Sequence, residues 1–120
     1  MKTAQRKYDI VLYGATGFVG HQTVAYMAEH GAGVDWAIAG RSQAKLQAML
    51  RDLKLKVPII VADAQDSQAL QAMAAQTRVV LSTAGPFALY GSPLVAACVQ
   101  NKTHYVDITG ETPWVRGMID

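Results

Sequence analysis

Short apolar runs alternate along this chain with segments whose apolar residues return every third or fourth position, the pattern of strands and helices taking turns. The first strand-like run is Tyr8-Asp9-Ile10-Val11-Leu12-Tyr13, and from Phe18 to Glu29 the residues Val19, Tyr26 and Met27 recur at helical spacing. Gly31 and Gly33 mark that helix's end, and a second strand is expected at Asp35-Trp36-Ala37-Ile38-Ala39. A helix over about Gln43 to Leu53 follows, with Leu46, Met49, Leu50 and Leu53 on one face and Ser42 as its N-cap. The third strand is Pro58-Ile59-Ile60-Val61-Ala62, and a short helix from Ser67 to Gln76 presents Leu70, Met73 and Ala74 with Asp66 or Ser67 as cap. Arg78-Val79-Val80-Leu81-Ser82 forms a fourth strand, a fourth helix spans about Ser92 to Asn101, and His104-Tyr105-Val106-Asp107-Ile108 is the fifth strand. Right-handed crossovers between these elements predict an α/β fold: a doubly wound parallel sheet of about five strands in the order 3-2-1-4-5, with helices on both faces. In such a sheet the carboxyl ends of strands 1 and 4 flank the crevice where ligands bind.

The segment joining the first strand to the first helix is Gly14-Ala15-Thr16-Gly17-Phe18-Val19-Gly20. Each glycine has a physical task there. Gly14 permits the tight turn off the strand, Gly17 lets backbone N–H groups approach a pyrophosphate, and Gly20 lets the helix pack close to the sheet. An anion would rest on the positive end of the helix. Strand 2 ends in Gly40-Arg41-Ser42, about 20 residues beyond the glycine loop, where an acid receives the ribose 2′-hydroxyl in NAD-binding chains. A guanidinium and a hydroxyl at this point suit a 2′-phosphate, so NADP(H) is expected rather than NAD(H). Asp63, at the end of strand 3, is placed to accept from an adenine amino group or to cap the turn that follows. After strand 4, the small turn Ala84-Gly85-Pro86-Phe87 leaves room for the cofactor's ribose and phosphates, with Pro86 stiffening it.

Composition narrows the field further. With 120 residues the chain is one domain, large enough to bury roughly two-thirds of the surface of its unfolded form. Apolar residues at 51% against 17% charged argue against disorder and suit a sheet covered on both sides. A net charge of +2 is too small to imply a nucleic-acid partner. The cations are dispersed: Lys2, Arg6 and Lys7 in a polar leader, and Arg51, Lys54 and Lys56 near one helix end, where they complement its dipole. A single cysteine, Cys98, permits no intramolecular disulfide and points to a reducing, cytoplasmic setting, while no apolar run approaches the length of a membrane span.

Other chemistries find little support. None of Tyr8, Tyr13, Tyr26, Tyr90 or Tyr105 has the lysine four residues on that short-chain dehydrogenases need. Cys98, among Val95, Ala96, Ala97 and Val99, reads as a core residue rather than a nucleophile, and His21, His30 and His104 lack metal-ligand spacing. Asp107 and Glu111 flank the carboxyl end of strand 5, where they could orient a substrate or simply bond backbone donors and start a helix. Tyr90 with Gly91 reads as a loop anchor or a contact to the nicotinamide end. No catalytic residue is singled out.

Taken together, Tyr13 to Gly20, Ala39 to Ser42, Ala84 to Phe87 with Tyr90-Gly91, and Tyr105-Val106-Asp107-Ile108-Thr109-Gly110-Glu111 resemble the saccharopine dehydrogenase (saccharopine reductase-like) family, in particular its oxidoreductases and trans-acting enoyl reductases. The resemblance runs from about Tyr8 to Thr112. It implies a Rossmann-type NADP-binding domain at the N-terminus of a longer protein whose substrate and dimerisation domain lies beyond Asp120. The cofactor positions it carries over are Gly14, Ala15, Thr16, Gly17, Phe18, Val19, Arg41, Ser42 and the turn from Ala84 to Phe87. The function expected is that of a cofactor domain, holding the nicotinamide for hydride transfer to or from a small-molecule substrate bound mainly elsewhere, with a homodimer possible in the full-length protein. A dinucleotide sensor without catalysis, or an interaction domain with a degenerate site, are the rival readings.

Overall fold

The computed structural model describes residues 6–83 and 87–107, the stretch 87–91 by its backbone alone. Nine elements follow one another: β1 (Tyr8–Tyr13), α1 (Phe18–His30), β2 (Trp36–Gly40), α2 (Gln43–Leu53), β3 (Ile59–Val61), α3 (Ser67–Ala75), β4 (Thr77–Ser82), α4 (Phe87–Gln100) and β5 (His104–Asp107). The five strands form one sheet in the order β3-β2-β1-β4-β5, and each neighbouring pair is parallel. This is the doubly wound arrangement the alternation of elements predicts.

Strand alternation explains why both faces are apolar. Val11 and Tyr13 of β1, Ala37 and Ala39 of β2 and Val80 of β4 face α3 and α4, where they meet Leu70, Met73, Leu94, Ala97 and Cys98. Leu12 and Ile38 point the other way, into a second layer with Val24 of α1 and Leu46, Met49 and Leu50 of α2. A strand buried on both sides has no polar face to display, so its sequence reads as a continuous apolar run.

The caps agree with the chain's local chemistry. Ser42 accepts from the Lys45 amide at 3.3 Å and opens α2, and Asp66, rather than Ser67, accepts from the Ala69 amide at 3.1 Å to open α3. Arg51 stands in the last turn of α2, where a cation meets the negative end of the dipole.

Three expectations change. The buried side of α1 is Gly20 and Val24, not Val19 and Tyr26. Tyr26 is 62% exposed and stacks on His30, with ring centroids 4.4 Å apart. The cause is the close seat of Gly20 on the loop before it, which fixes the helix's rotation and turns the aromatic residue outward. Secondly, α4 begins at Phe87, five residues before Ser92, and runs through Gly91 and Pro93. The Ser-Pro pair resembles a helix start, yet the helical backbone already begins more than a turn earlier, at Phe87. Finally, Arg6 belongs to the folded body rather than to a solvated leader. Its guanidinium donates to the carbonyl oxygens of Ala74, Thr77 and Asn101 and to the Thr103 hydroxyl, all at 2.6 to 3.0 Å. It thereby ties together the ends of α3 and α4 at the amino edge of the sheet.

Candidate functional site

The carboxyl ends of β1, β2 and β3 stand side by side, with Tyr13 in register with Ala39 and Ala39 with Ile60. Leaving β1, the chain turns at Gly14 with φ of 82°, a conformation that side chains rarely adopt. The Gly14 and Ala15 amides both donate to the Ala39 carbonyl oxygen, at 3.0 and 3.3 Å, and lock the loop to the end of β2. From the other side Thr83, just after β4, donates its amide to the Tyr13 carbonyl at 2.9 Å and its hydroxyl to the carbonyls of Tyr13 and Gly14 at 3.2 and 3.1 Å. Thr83 went unnoticed in the sequence because its role is a pairing across strands, which no local spacing reveals.

Gly17 then serves as the N-cap of α1 in extended conformation, and no side chain caps the helix. The first intrahelical bond runs from the His21 amide to the Gly17 carbonyl, at 2.8 Å. The amides of Phe18, Val19 and Gly20 precede it and have no acceptor within the helix. They present a cluster of donors at the positive end of the helix dipole, suited to a phosphate. A β-carbon on Gly17 would come no nearer to protein than 3.6 Å, to the Gly14 oxygen. Packing therefore does not demand glycine here. Thr16 and Phe18 are exposed at the same mouth, Phe18 by 80%, whereas Ala15 is fully buried and supports the loop from below.

The remaining candidates sort by position. Arg41 is exposed at the end of β2, beside the loop that Ala39 holds. Ser42 uses its oxygen to cap α2, which leaves its O–H free to donate outward. Asp63 follows Ala62, whose amide donates to the Gly40 carbonyl at 2.9 Å, so it too stands at this edge. Its carboxylate accepts from the Gln65 amide at 2.9 Å, which settles the turn-capping half of its expected role. Ala84, Gly85, Pro86, Ile108 and Glu111 lie outside the described residues, and Phe87 is the first residue of α4.

Beneath these groups lies Tyr13, which the sequence marks only as a strand residue. It is 4% exposed, and its phenol donates to the Ala62 carbonyl oxygen at 3.0 Å. Burial pushes its pKa up to about 12, the Asp63 carboxylate adds to the rise and the Arg41 guanidinium opposes it. Burial likewise raises the Tyr105 phenol, with the Asp107 carboxylate acting in the same direction. The Cys98 thiol, sealed in the core, rises to about 11 for the same reason, as suits a packing residue rather than a nucleophile. Among the described residues no group of His, Cys, Asp and Glu could hold a metal ion, and no helix is long and apolar enough to cross a membrane.

A doubly wound parallel sheet whose first strand leads through a positive-φ glycine into an uncapped helix is the architecture of a dinucleotide-binding Rossmann domain. Residues 10–118 match the model of the saccharopine dehydrogenase NADP binding domain, and the chain belongs to that family. Its curated relatives include trans-acting enoyl reductases of Mycobacterium tuberculosis strain H37Rv, 47% identical, and Mycobacterium ulcerans strain Agy99, 45% identical. Each alignment covers 100% of this chain and 29% of the relative, so the chain spans less than a third of their length. Among solved structures, saccharopine dehydrogenase (L-Glu forming) from Saccharomyces cerevisiae superposes with a TM-score of 0.75 at 24% identity, over 92% of this chain and 24% of that one. AtPrR2, solved with NADP+ and (+)pinoresinol, superposes with a TM-score of 0.63 at 21% identity, over 83% of this chain and 36% of that one. At these identities the two structures speak for the fold. The cofactor class that Arg41 suggests is the one the family carries in its name.

Proposed function

We propose that this chain is the NADP(H)-binding domain of an oxidoreductase, holding the nicotinamide for hydride transfer to or from a substrate bound mainly by a further domain. The bound cofactor supplies the hydride chemistry, and the chain supplies binding and orientation. In this reading the first-turn amides of α1 and the Gly14 to Val19 loop take the pyrophosphate, with Gly17 leaving the approach clear. Arg41 and the Ser42 O–H take the 2′-phosphate, Asp63 faces the adenine side, and the turn from Ala84 to Phe87 borders the ribose. The single observation carrying the proposal is that the loop leading into the uncapped start of α1 is locked through Gly14 and Ala15 to the Ala39 carbonyl at the end of β2, two residues before Arg41.

The relatives' names favour an enzyme over a cofactor sensor. Because the chain spans 29% of those relatives, substrate binding and dimer formation are assigned to sequence beyond this domain. Cytoplasmic residence is proposed from the lone, buried cysteine.

Calorimetric titration with NADP(H) and NAD(H), repeated on Arg41→Ala, tests the reading. Preference for NADP(H) that the variant loses, by about 1.5–3 kcal/mol for a charge-assisted contact, is the expected result. Binding of neither nucleotide overturns the proposal.

A further inference from the structure

Two residues beyond the shortest strand, β3, stands Asp63, which the proposed function assigns with Arg41 to the adenosine end of the site. β3 has three residues, stands at an edge of the sheet and pairs only with β2. Val61 is 48% exposed, whereas Ala62, the residue after it, is 1% exposed and packs in the core. Two bonds fix the strand's carboxyl end: the Ala62 amide to the Gly40 carbonyl at 2.9 Å, and the Tyr13 phenol to the Ala62 carbonyl at 3.0 Å. The second is unusual in reach. Tyr13 belongs to β1, and its hydroxyl crosses the whole of β2 to arrive at β3. It can do so because its register partner on β2 is Ala39, whose side chain is a single buried methyl. A larger residue at Ala39 would block the ring's path. The phenol thus ends on the residue before Asp63, and the Asp63 and Arg41 charges both act on it.

We infer that Tyr13 is a positioning residue for cofactor choice: its bond to Ala62 holds Asp63, at the end of β3, in fixed relation to Arg41, at the end of β2. This rests on the reading of the site as an NADP(H) cradle. Tyr13 touches no cofactor in it. Its effect passes through the backbone of β3, so it is felt at the 2′-phosphate and adenine end and not at the pyrophosphate, which the α1 amides hold independently.

The test is Tyr13→Phe, which keeps the ring and removes only the donor. Affinities for NADP+, NAD+ and adenosine 2′,5′-bisphosphate are measured by calorimetry on the wild type and the variant. The expected result is a loss of about threefold to tenfold for NADP+ and the bisphosphate, the scale of one hydrogen bond, with NAD+ changed by less than about twofold. Ala39→Val, which leaves the phenol but narrows its path, serves as the second variant, expected to shift the NADP+ to NAD+ ratio the same way should Tyr13→Phe not fold. An unchanged ratio in a folded variant overturns the positioning role while leaving the cofactor reading intact. Failure of the wild type to bind any of the three overturns both.

Discussion

The carbonyl oxygen of Gly14 lies where a side chain on Gly20 would have to go: a β-carbon there would stand 2.3 Å from it and 2.8 Å from the Ala15 backbone. Helix α1 sits directly on the loop that launches it. That contact aims its first-turn amides across the end of the sheet.

Glycines 17 and 20 should therefore respond oppositely to alanine. Gly20→Ala forces backbone apart and is expected to cost about 1–3 kcal/mol of stability, read as a lowered denaturant midpoint. Gly17→Ala meets only ordinary van der Waals contact, so its stability should stay within about 1 kcal/mol of wild type. Its nucleotide affinity should nevertheless fall by tenfold or more, because the added methyl occupies the ligand's approach. Equal binding by Gly17→Ala and wild type would remove the pyrophosphate from this loop.

Arg6 is expected to be a stability residue. Truncation to alanine removes the guanidinium from the Ala74, Thr77 and Asn101 carbonyls and the Thr103 hydroxyl; Ala74 keeps the Thr103 hydroxyl as a donor, while the Thr77 carbonyl, on a fully buried residue, loses its side-chain partner. A loss of about 2 kcal/mol is expected. Arg6→Lys should recover little of it, since an ammonium cannot reproduce the fork that serves several acceptors at once. Chemical denaturation of the three proteins measures both effects.

Alkaline pH should destabilise the protein in a defined window. Burial raises the Tyr13 phenol to about 12 from an ordinary 10.0, so folding favours the neutral form. Its contribution is complete below pH 10 and is lost as pH rises through 12, by about 2 kcal/mol at the upper end. Tyr13→Phe should flatten that part of the stability profile, followed by denaturation at stepped pH. A profile identical to wild type would show that the phenol titrates as it does in water.

Cys98 is expected to resist thiol reagents in the native state. It is 1% exposed, and its thiol is raised to about 11. Labelling at neutral pH should proceed at the rate of structural opening, accelerate with denaturant, and match the exchange of the α4 amides. Fast labelling of the folded protein would place the thiol at a surface and reopen its reading as a core residue.

How much could be read from the chain alone depended on the range of the physics involved. The alternation of strand and helix, the strand order, the caps at Ser42 and Asp66 and the glycine loop are consequences of nearest-neighbour chemistry: hydrophobic period, capping oxygens, and residues that tolerate a tight turn. The position of Arg41 beside the loop followed as well, because parallel pairing brings the ends of β1 and β2 together wherever the order 3-2-1-4-5 holds. Only the tertiary structure decided the rotation of α1, which turns Tyr26 outward, since that depends on how closely Gly20 seats on Gly14. The early start of α4 was also hidden, because Gly91 and Pro93 signal a break locally. That Arg6 reads as a leader cation, that Tyr13 reads as a strand residue and that Thr83 went unnoticed had a common cause: their partners lie from 49 to 97 residues away, as with Tyr13 to Ala62 and Arg6 to Thr103. A hydrogen bond closed over such a distance leaves no periodicity in the sequence, and its donor is recognised only when folding has brought the acceptor within 3 Å.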